Sequence, residues 1–233
     1  TSQVDITITD NDAPVFGTDG SDTTGTTGET FSFSIAVTDN IGVSNVYVEY
    51  WFGTGTHTNV SMSGTGPYTY SVSVPSDGTV IHYIFHATDS AGNWEDTSQV
   101  DVTITDNDAP VFGTDGSDTS ITTGENFNFS IAVTDNIGVT NVYVEYWFGS
   151  GTHTNVSMSG TGPYTYSVTV PSNATVIRYI FHATDSAGNW ALTTRVDVSV
   201  SDNDAPEFGT DGSDTSGTTG ETFSFSIAVT DNI

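Results

Sequence analysis

Asn126-Phe127-Asn128-Phe129-Ser130-Ile131-Ala132-Val133-Thr134 puts an apolar side chain at every second position, with small polar residues and Ala132 between. A period of two is that of a strand with one face in a core and the other in water. Working outward, Pro110–Phe112 reads as a short first strand, followed by a Gly/Thr/Ser/Asp stretch of turn residues up to Gly124. After the quoted strand, Asn141–Phe148 is β-branched and aromatic. It sends Val142, Val144, Tyr146 and Phe148 to one face, and Tyr143, Glu145 and Trp147 to the other. Thr154–Ser159 reads as a short polar strand. Tyr164, Tyr166, Val168 and Val170 alternate up to Pro171; Ile177, Tyr179, Phe181 and Ala183 form the next inner face, and Val196, Val198 and Val200 the last. Seven strands without a helical period, with turn signals roughly every 8–12 residues, describe a two-sheet β-sandwich.

The same pattern occurs more than once. Asp-Asn-Asp-Ala-Pro begins at Asp10, Asp106 and Asp202, a spacing of 96 residues, and segments 10–105 and 106–201 align without gaps at roughly four-fifths identity. The chain therefore reads as the last strand of a preceding repeat (1–9), two whole repeats (10–105 and 106–201), and the first strands of a further, truncated repeat (202–233). Both ends are expected to continue in the intact protein, because 202–233 lacks the strands that would bury its inner face. Gly217, Thr222 and Ser224 match Gly25, Thr30 and Ser32 rather than Ile121, Asn126 and Asn128, which suggests that variant repeats alternate.

Composition narrows the function classes. The formal net charge is -27, with 29 acidic residues against two basic ones, Arg178 and Arg195. Such a chain cannot neutralise phosphates, so nucleic acid is not an expected partner. Hydrophobic residues at 35% in regular alternation argue for a core rather than disorder. There is no cysteine, hence neither disulfides nor thiolate metal sites. No apolar run is long enough to span a membrane as a helix.

In a sandwich whose strands alternate direction, the entering linker, the loop after strand two and the loop before the last strand return to one pole. The linkers are Asp10-Asn11-Asp12, Asp106-Asn107-Asp108 and Asp202-Asn203-Asp204. The loops contribute Asp39 and Asn40, Asp135 and Asn136, Asp231, and Asp89 and Asp185. Carboxylates gathered without Lys or Arg call for a hard cation. Calcium takes six to eight oxygens from carboxylates, amides and carbonyls, and these residues offer only such groups. Calcium at each junction is the expected cofactor.

Asp106-Asn107-Asp108-Ala109-Pro110-Val111-Phe112 resembles the calcium linker motif of cadherins, in which calcium stiffens successive ectodomains; the cadherin Asp-x-Asp and Asp-Arg-Glu motifs are missing here. Over the whole repeat, the Asp-Asn-Ile-Gly-Val and Ala-Thr-Asp-Ser-Ala-Gly-Asn loops resemble the tandem immunoglobulin-like repeats of bacterial and archaeal cell-surface proteins. That resemblance implies an all-β chain of tandem seven-strand immunoglobulin-like β-sandwiches, joined by short acidic linkers and displayed outside the cell.

Other residues leave alternatives open. Gly113–Asp118 is either a second cation site or a plain turn, and Glu125 lies near the pole from which the next junction is within reach. Histidines 57, 82, 86, 153 and 182 read as surface residues, since no Ser–His–Asp or Cys–His arrangement exists and near-identical tandem copies do not suit a single active site. An enzyme is not expected. Trp147 with Tyr143 (Trp51 with Tyr47) faces outward, either to stack on a sugar or neighbouring fibre or to be covered by the chain itself. Asn59, Asn128, Asn155 and Asn173 each begin a glycosylation sequon. The expected function is structural: a calcium-rigidified array in an extracellular filament or stalk, whose partners are neighbouring copies of the same repeat. The alternative is a cell-surface adhesin that binds glycans or another cell.

Overall fold

The computed structural model describes residues 3–233; Thr1 and Ser2, the start of the segment read as a last strand, lie outside the described residues. The chain divides into two compact units, Thr1–Asp108 and Ala109–Ile233, and the described residues contain strands and turns but no helix.

In the first unit the strands are β1 (Val15–Asp19), β2 (Gly25–Thr26), β3 (Thr30–Thr38), β4 (Val43–Phe52), β5 (Thr58–Ser61), β6 (Tyr68–Ser73), β7 (Val80–Asp89), β8 (Trp94–Asp96) and β9 (Val100–Thr105). One sheet has the order β1-β3-β6. The other runs β2-β9-β7-β4-β5, with β8 also paired to β7. All pairings are antiparallel except β2 with β9. The second unit repeats the plan with β10 (Val111–Asp115), β11 (Ile121–Thr122), β12 (Asn126–Thr134), β13 (Val139–Phe148), β14 (Thr154–Ser157), β15 (Tyr164–Thr169), β16 (Val176–Asp185), β17 (Trp190–Leu192) and β18 (Val196–Ser201). This is a tandem immunoglobulin-like all-β architecture.

The seven strands read from the alternation are all present. Two short ones come in addition. β11 falls inside the stretch read as turns, where two residues suffice to pair in parallel with β18; β17 extends β16 as a hairpin after the Asp185 loop. Neither is long enough to show a period.

The alternation holds because it builds the core. Phe127, Phe129, Ile131 and Val133 of β12 are buried against Val142 and Val144 of β13, Ile177, Tyr179, Phe181 and Ala183 of β16, and Val198 and Val200 of β18. Burying side chains of this size contributes about 1.5–3 kcal/mol each. Where the two copies differ inside, the change is compensated. Gly25 pairs with Ile104 in one, and a Cβ there would come within 2.3 Å of the Ile104 Cδ1; in the other, Ile121 pairs with the shorter Val200.

The segments at the two ends lack such partners. Residues 3–9 form no strand, although their copy in β9 pairs with β7, and Val4, Ile6 and Ile8 are exposed. In the third copy only β19 (Glu207–Asp211) and β20 (Ile227–Thr230) pair, leaving Phe208, Phe225 and Val229 in solvent.

Register fixes what lies at each end of the first unit. Val15 pairs with Thr38, one residue before Asp39, and Val43 pairs with Asp89. The turn after β3, the turn after β7 and the segment before β1 are thereby held at one pole. At the other, Thr26 pairs with Thr105, which sets Thr27 beside Asp106.

Candidate metal centre

At the first pole of the first unit, Asp10, Asp39 and Asp89 come together: one carboxylate oxygen from each lies within 4.8 Å of the others. Asp39 is held by its own turn through one oxygen and Asp89 through both. Asp39 Oδ1 accepts from the backbone N–H of Ile41 (2.9 Å) and Gly42 (2.8 Å). Asp89 Oδ1 accepts from the N–H groups of Ala91, Gly92 and Asn93, and its Oδ2 from the Asn93 side chain at 2.6 Å. That turn requires φ of 95° at Gly92, a conformation that a side chain would strain. Asp10 Oδ1 accepts from Asp12 N (3.2 Å) and Asn40 Nδ2 (3.3 Å), and the same amide also reaches Asp12 Oδ2 at 3.0 Å.

The remaining oxygens decide the chemistry. Asp10 Oδ2 and Asp39 Oδ2 are buried and make no hydrogen bond, and the first unit has no Lys or Arg anywhere in its sequence. At an effective dielectric of about 20, two like charges at about 4.8 Å repel by roughly 3 kcal/mol. A buried carboxylate oxygen without a donor or cation is costly. The donor set is all oxygen. Two oxygens on opposite sides of a calcium ion stand about 5 Å apart, so the spacing fits shared ligation of one hard cation. Burial works against the charge on Asp89, but the Asn93 side chain and the three backbone donors outweigh it and hold its carboxyl below the usual range. The carboxylate is ready for a cation at neutral pH.

The second unit repeats the turns. Asp135 Oδ1 accepts from Ile137 and Gly138 while its Oδ2 is buried without a partner, and Asp185 accepts from Gly188 and from both nitrogens of Asn189. Asn136 is half-buried. Asp106 is buried and Asn107 and Asp108 exposed; all three lie around the Thr27 hydroxyl. In the third copy Asn232 donates to Asp204 at 2.7 Å, as Asn40 does to Asp12, while Asn203 accepts from Thr123 and Asp202 from the N–H of Asp204. Asn11 and Asp231 are exposed. Two participants were missed from sequence: Asn93, which also reaches the Asp10 carbonyl at 3.4 Å, and Thr27. The fixed Asp-x-x-Gly-Asn spacing could have marked the first. Threonine repeated at 27, 123 and 219 could have marked the second.

Other candidates resolve differently. Gly113–Asp118 is the end of β10 and the bend after it, and its carboxylates are already used: Asp115 accepts from Ser117 N and Tyr179 OH, and Asp118 from both nitrogens of Asn128. Burial, and then this bond to Asp115, push the Tyr179 hydroxyl well above its ordinary pKa. Glu125 keeps an exposed side chain and bonds through its backbone to Val170 and Thr122. Trp51 and Trp147 are buried, against the outward stacking role considered for them. His57 covers Trp51 with ring centroids 3.7 Å apart, and His153 covers Trp147 at 3.8 Å.

The histidines are not simple surface groups either, because β4 and β13 place a glutamate between two of them. Glu49 lies 2.6 Å from His57 and 3.1 Å from His86, and Glu145 likewise bridges His153 and His182. The hydrogen bond with His57 does most to hold Glu49 below the usual carboxylate range; burial opposes it and His86 assists. His82 pairs with Asp101, where Arg178 pairs with Asp197 in the next copy. The exposed rings of this face are Trp94 and Trp190, stacked on Tyr47 and Tyr143.

The sequence matches no protein-family model and no curated protein. Among solved structures, the chain is similar to Rst D1-D2 (TM-score 0.46, 12% identity, covering 82% of this chain and 100% of that one). It is also similar to DIP-gamma IG1+IG2 (0.44, 14%, 82% and 98%) and to an ICAM-5 D1-D4 ectodomain fragment (0.45, 15%, 82% and 54%). These are likenesses of tandem immunoglobulin-like domains, and identities this low say nothing of a ligand.

Proposed function

We propose that this chain is a segment of an extracellular, prokaryotic cell-surface fibre or stalk in which calcium fixes each junction between repeats. The observation that carries this reading is the pair of buried, unpartnered oxygens on Asp10 and Asp39 beside Asp89, in a unit without any cationic side chain. Asp10, Asp39 and Asp89 would hold the ion, with Asp12, Asn40 and Asn93 orienting them. By the repeat, Asp106, Asp135 and Asp185 are the sequence counterparts of Asp10, Asp39 and Asp89, and Asp202, Asp204 and Asp231 belong to a third set. The ion supplies the positive charge that the chain lacks, so the carboxylates attract one centre instead of repelling one another. Identical linkers then give identical junction angles, which suits self-association of copies into filaments.

The exposed Trp94 and Trp190 on their tyrosines favour a second reading, an adhesive surface for glycans. All four sequon asparagines, Asn59, Asn128, Asn155 and Asn173, are exposed, and the amide of Asn128 also donates to Asp118.

Small-angle scattering of the full chain tests the fibre reading. Calcium should lengthen the maximum dimension and narrow its distribution relative to excess chelator. Identical profiles in both conditions would contradict it and leave the adhesive reading.

A further inference from the structure

Thr27 belongs to no carboxylate cage, yet it is 2% exposed and sits where the linker leaves its repeat. Its backbone N–H donates to the Thr105 carbonyl at 3.0 Å, a bond that extends the parallel pairing of β2 with β9. Its hydroxyl oxygen stands 3.2 Å from Asp106 Oδ1, 3.0 Å from Asn107 Oδ1 and 3.4 Å from Asp108 Oδ2, and accepts from Asn107 N at 3.4 Å. All three linker side chains thus gather on one buried hydroxyl, which has a single proton to give.

The second unit does the same. Thr123 is 3% exposed, its N–H donates to the Ser201 carbonyl at 3.0 Å, and its hydroxyl lies 2.9 Å from Asn203 Oδ1 and 3.5 Å from Asp202 Oδ1. Thr219 holds the same place in the third copy.

Which oxygen the threonine takes matters. In Asp10, Oδ1 is occupied by Asp12 N and the Asn40 amide, and Oδ2 is the one left to the cage. Asp106 and Asp202 use Oδ1 in the same way, accepting from Asp108 N at 3.1 Å and Asp204 N at 3.0 Å, and this Oδ1 is the atom facing the threonine. The one proton of the hydroxyl is nearest the asparagine Oδ1 in both copies (3.0 and 2.9 Å), so the threonine holds the linker through that amide and faces, on Asp106 and Asp202, only the oxygen already engaged by the backbone.

We infer that Thr27 and Thr123 are positioning residues for the ion site of the linker leaving their own repeat, so that a junction reaches full calcium affinity only when the repeat before it is folded. Ion binding then links each repeat to its predecessor. This rests on the calcium reading above. Groups that orient metal ligands typically change affinity by about 10- to 100-fold when removed, and the same range is expected here.

The test is calorimetric titration of the full chain with calcium, comparing the wild type with Thr27→Val and Thr27→Ser. Thr27→Val should weaken one site by about 10- to 100-fold and leave the rest as they were. Thr27→Ser, which keeps the hydroxyl, should restore it. The chelator-treated melting point of Thr27→Val should stay close to wild type. Wild-type affinity in Thr27→Val would overturn the inference while leaving the calcium reading in place. An equal loss of melting temperature in calcium and in chelator would make Thr27 a packing residue, which also overturns it. If the wild type takes up no calcium, the reading beneath has failed as well, and this outcome is told apart by the wild-type trace alone.

Discussion

Replacing Phe129 with Ala lowers the unfolding free energy of the second unit by about 3–5 kcal/mol. For a domain of this size each kcal/mol moves the melting point by roughly 4–8 °C, so the shift is large enough to separate the two units in a calorimetric scan. Phe129 is 0% exposed and packs its ring against Phe127, Tyr146 and Tyr179 at centroid distances of 4.9, 5.5 and 5.2 Å. Truncation leaves a cavity walled by aromatic rings held on three strands, which cannot collapse into it. The matching change in the third copy, Phe225→Ala, should stay within about 0.5 kcal/mol, because Phe225 is 85% exposed. A small loss for Phe129→Ala, or a large one for Phe225→Ala, would contradict the core described above.

This contrast marks how far the sequence could be read. Alternation at Phe127, Phe129, Ile131 and Val133 was legible because a period of two needs only nine residues to show itself. The 96-residue spacing was legible because it recurs. β11 and β17 were not, since a strand of two or three residues has no period and is defined by its partner. Trp51 and Trp147 lie on the outward phase, as read, but His57 and His153, six residues on in the hairpin loop, fold back to cover them, a contact that alternation does not record. At the site, carboxylates could be assigned to a pole from strand direction alone. The roles of Asn93 and Thr27 depend on turn geometry and on a two-residue parallel pairing, and both had to be seen.

Replacing Asp39 with Asn should change sign with the solvent. In calcium, loss of a charged ligand removes the stabilisation that the ion provides at that junction, about 2.7 kcal/mol when calcium stands at a hundred times its dissociation constant. In chelator the variant should be the more stable protein. The substituted amide would keep an oxygen for the N–H groups of Ile41 and Gly42, while its nitrogen would replace a buried oxygen that now has no partner and faces two other carboxylates. Removing one charge from the trio relieves two pairs that each repel by roughly 3 kcal/mol; with Asp39 only half-buried, solvent screening reduces this to a gain of about 1–3 kcal/mol. Urea unfolding of wild type and variant under both conditions measures the four values. A variant less stable than wild type in chelator would mean that Asp39 serves its turn rather than an ion.

The most direct test of calcium at the junctions is thermal unfolding of the unaltered chain with calcium, with magnesium, and with excess chelator. Calcium should raise the melting point, further with each increase in concentration as for any ligand bound only by the folded state, and magnesium at equal concentration should not match it. A melting point that stays the same in all three conditions would contradict a cation at Asp10, Asp39 and Asp89, and with it the rigid fibre.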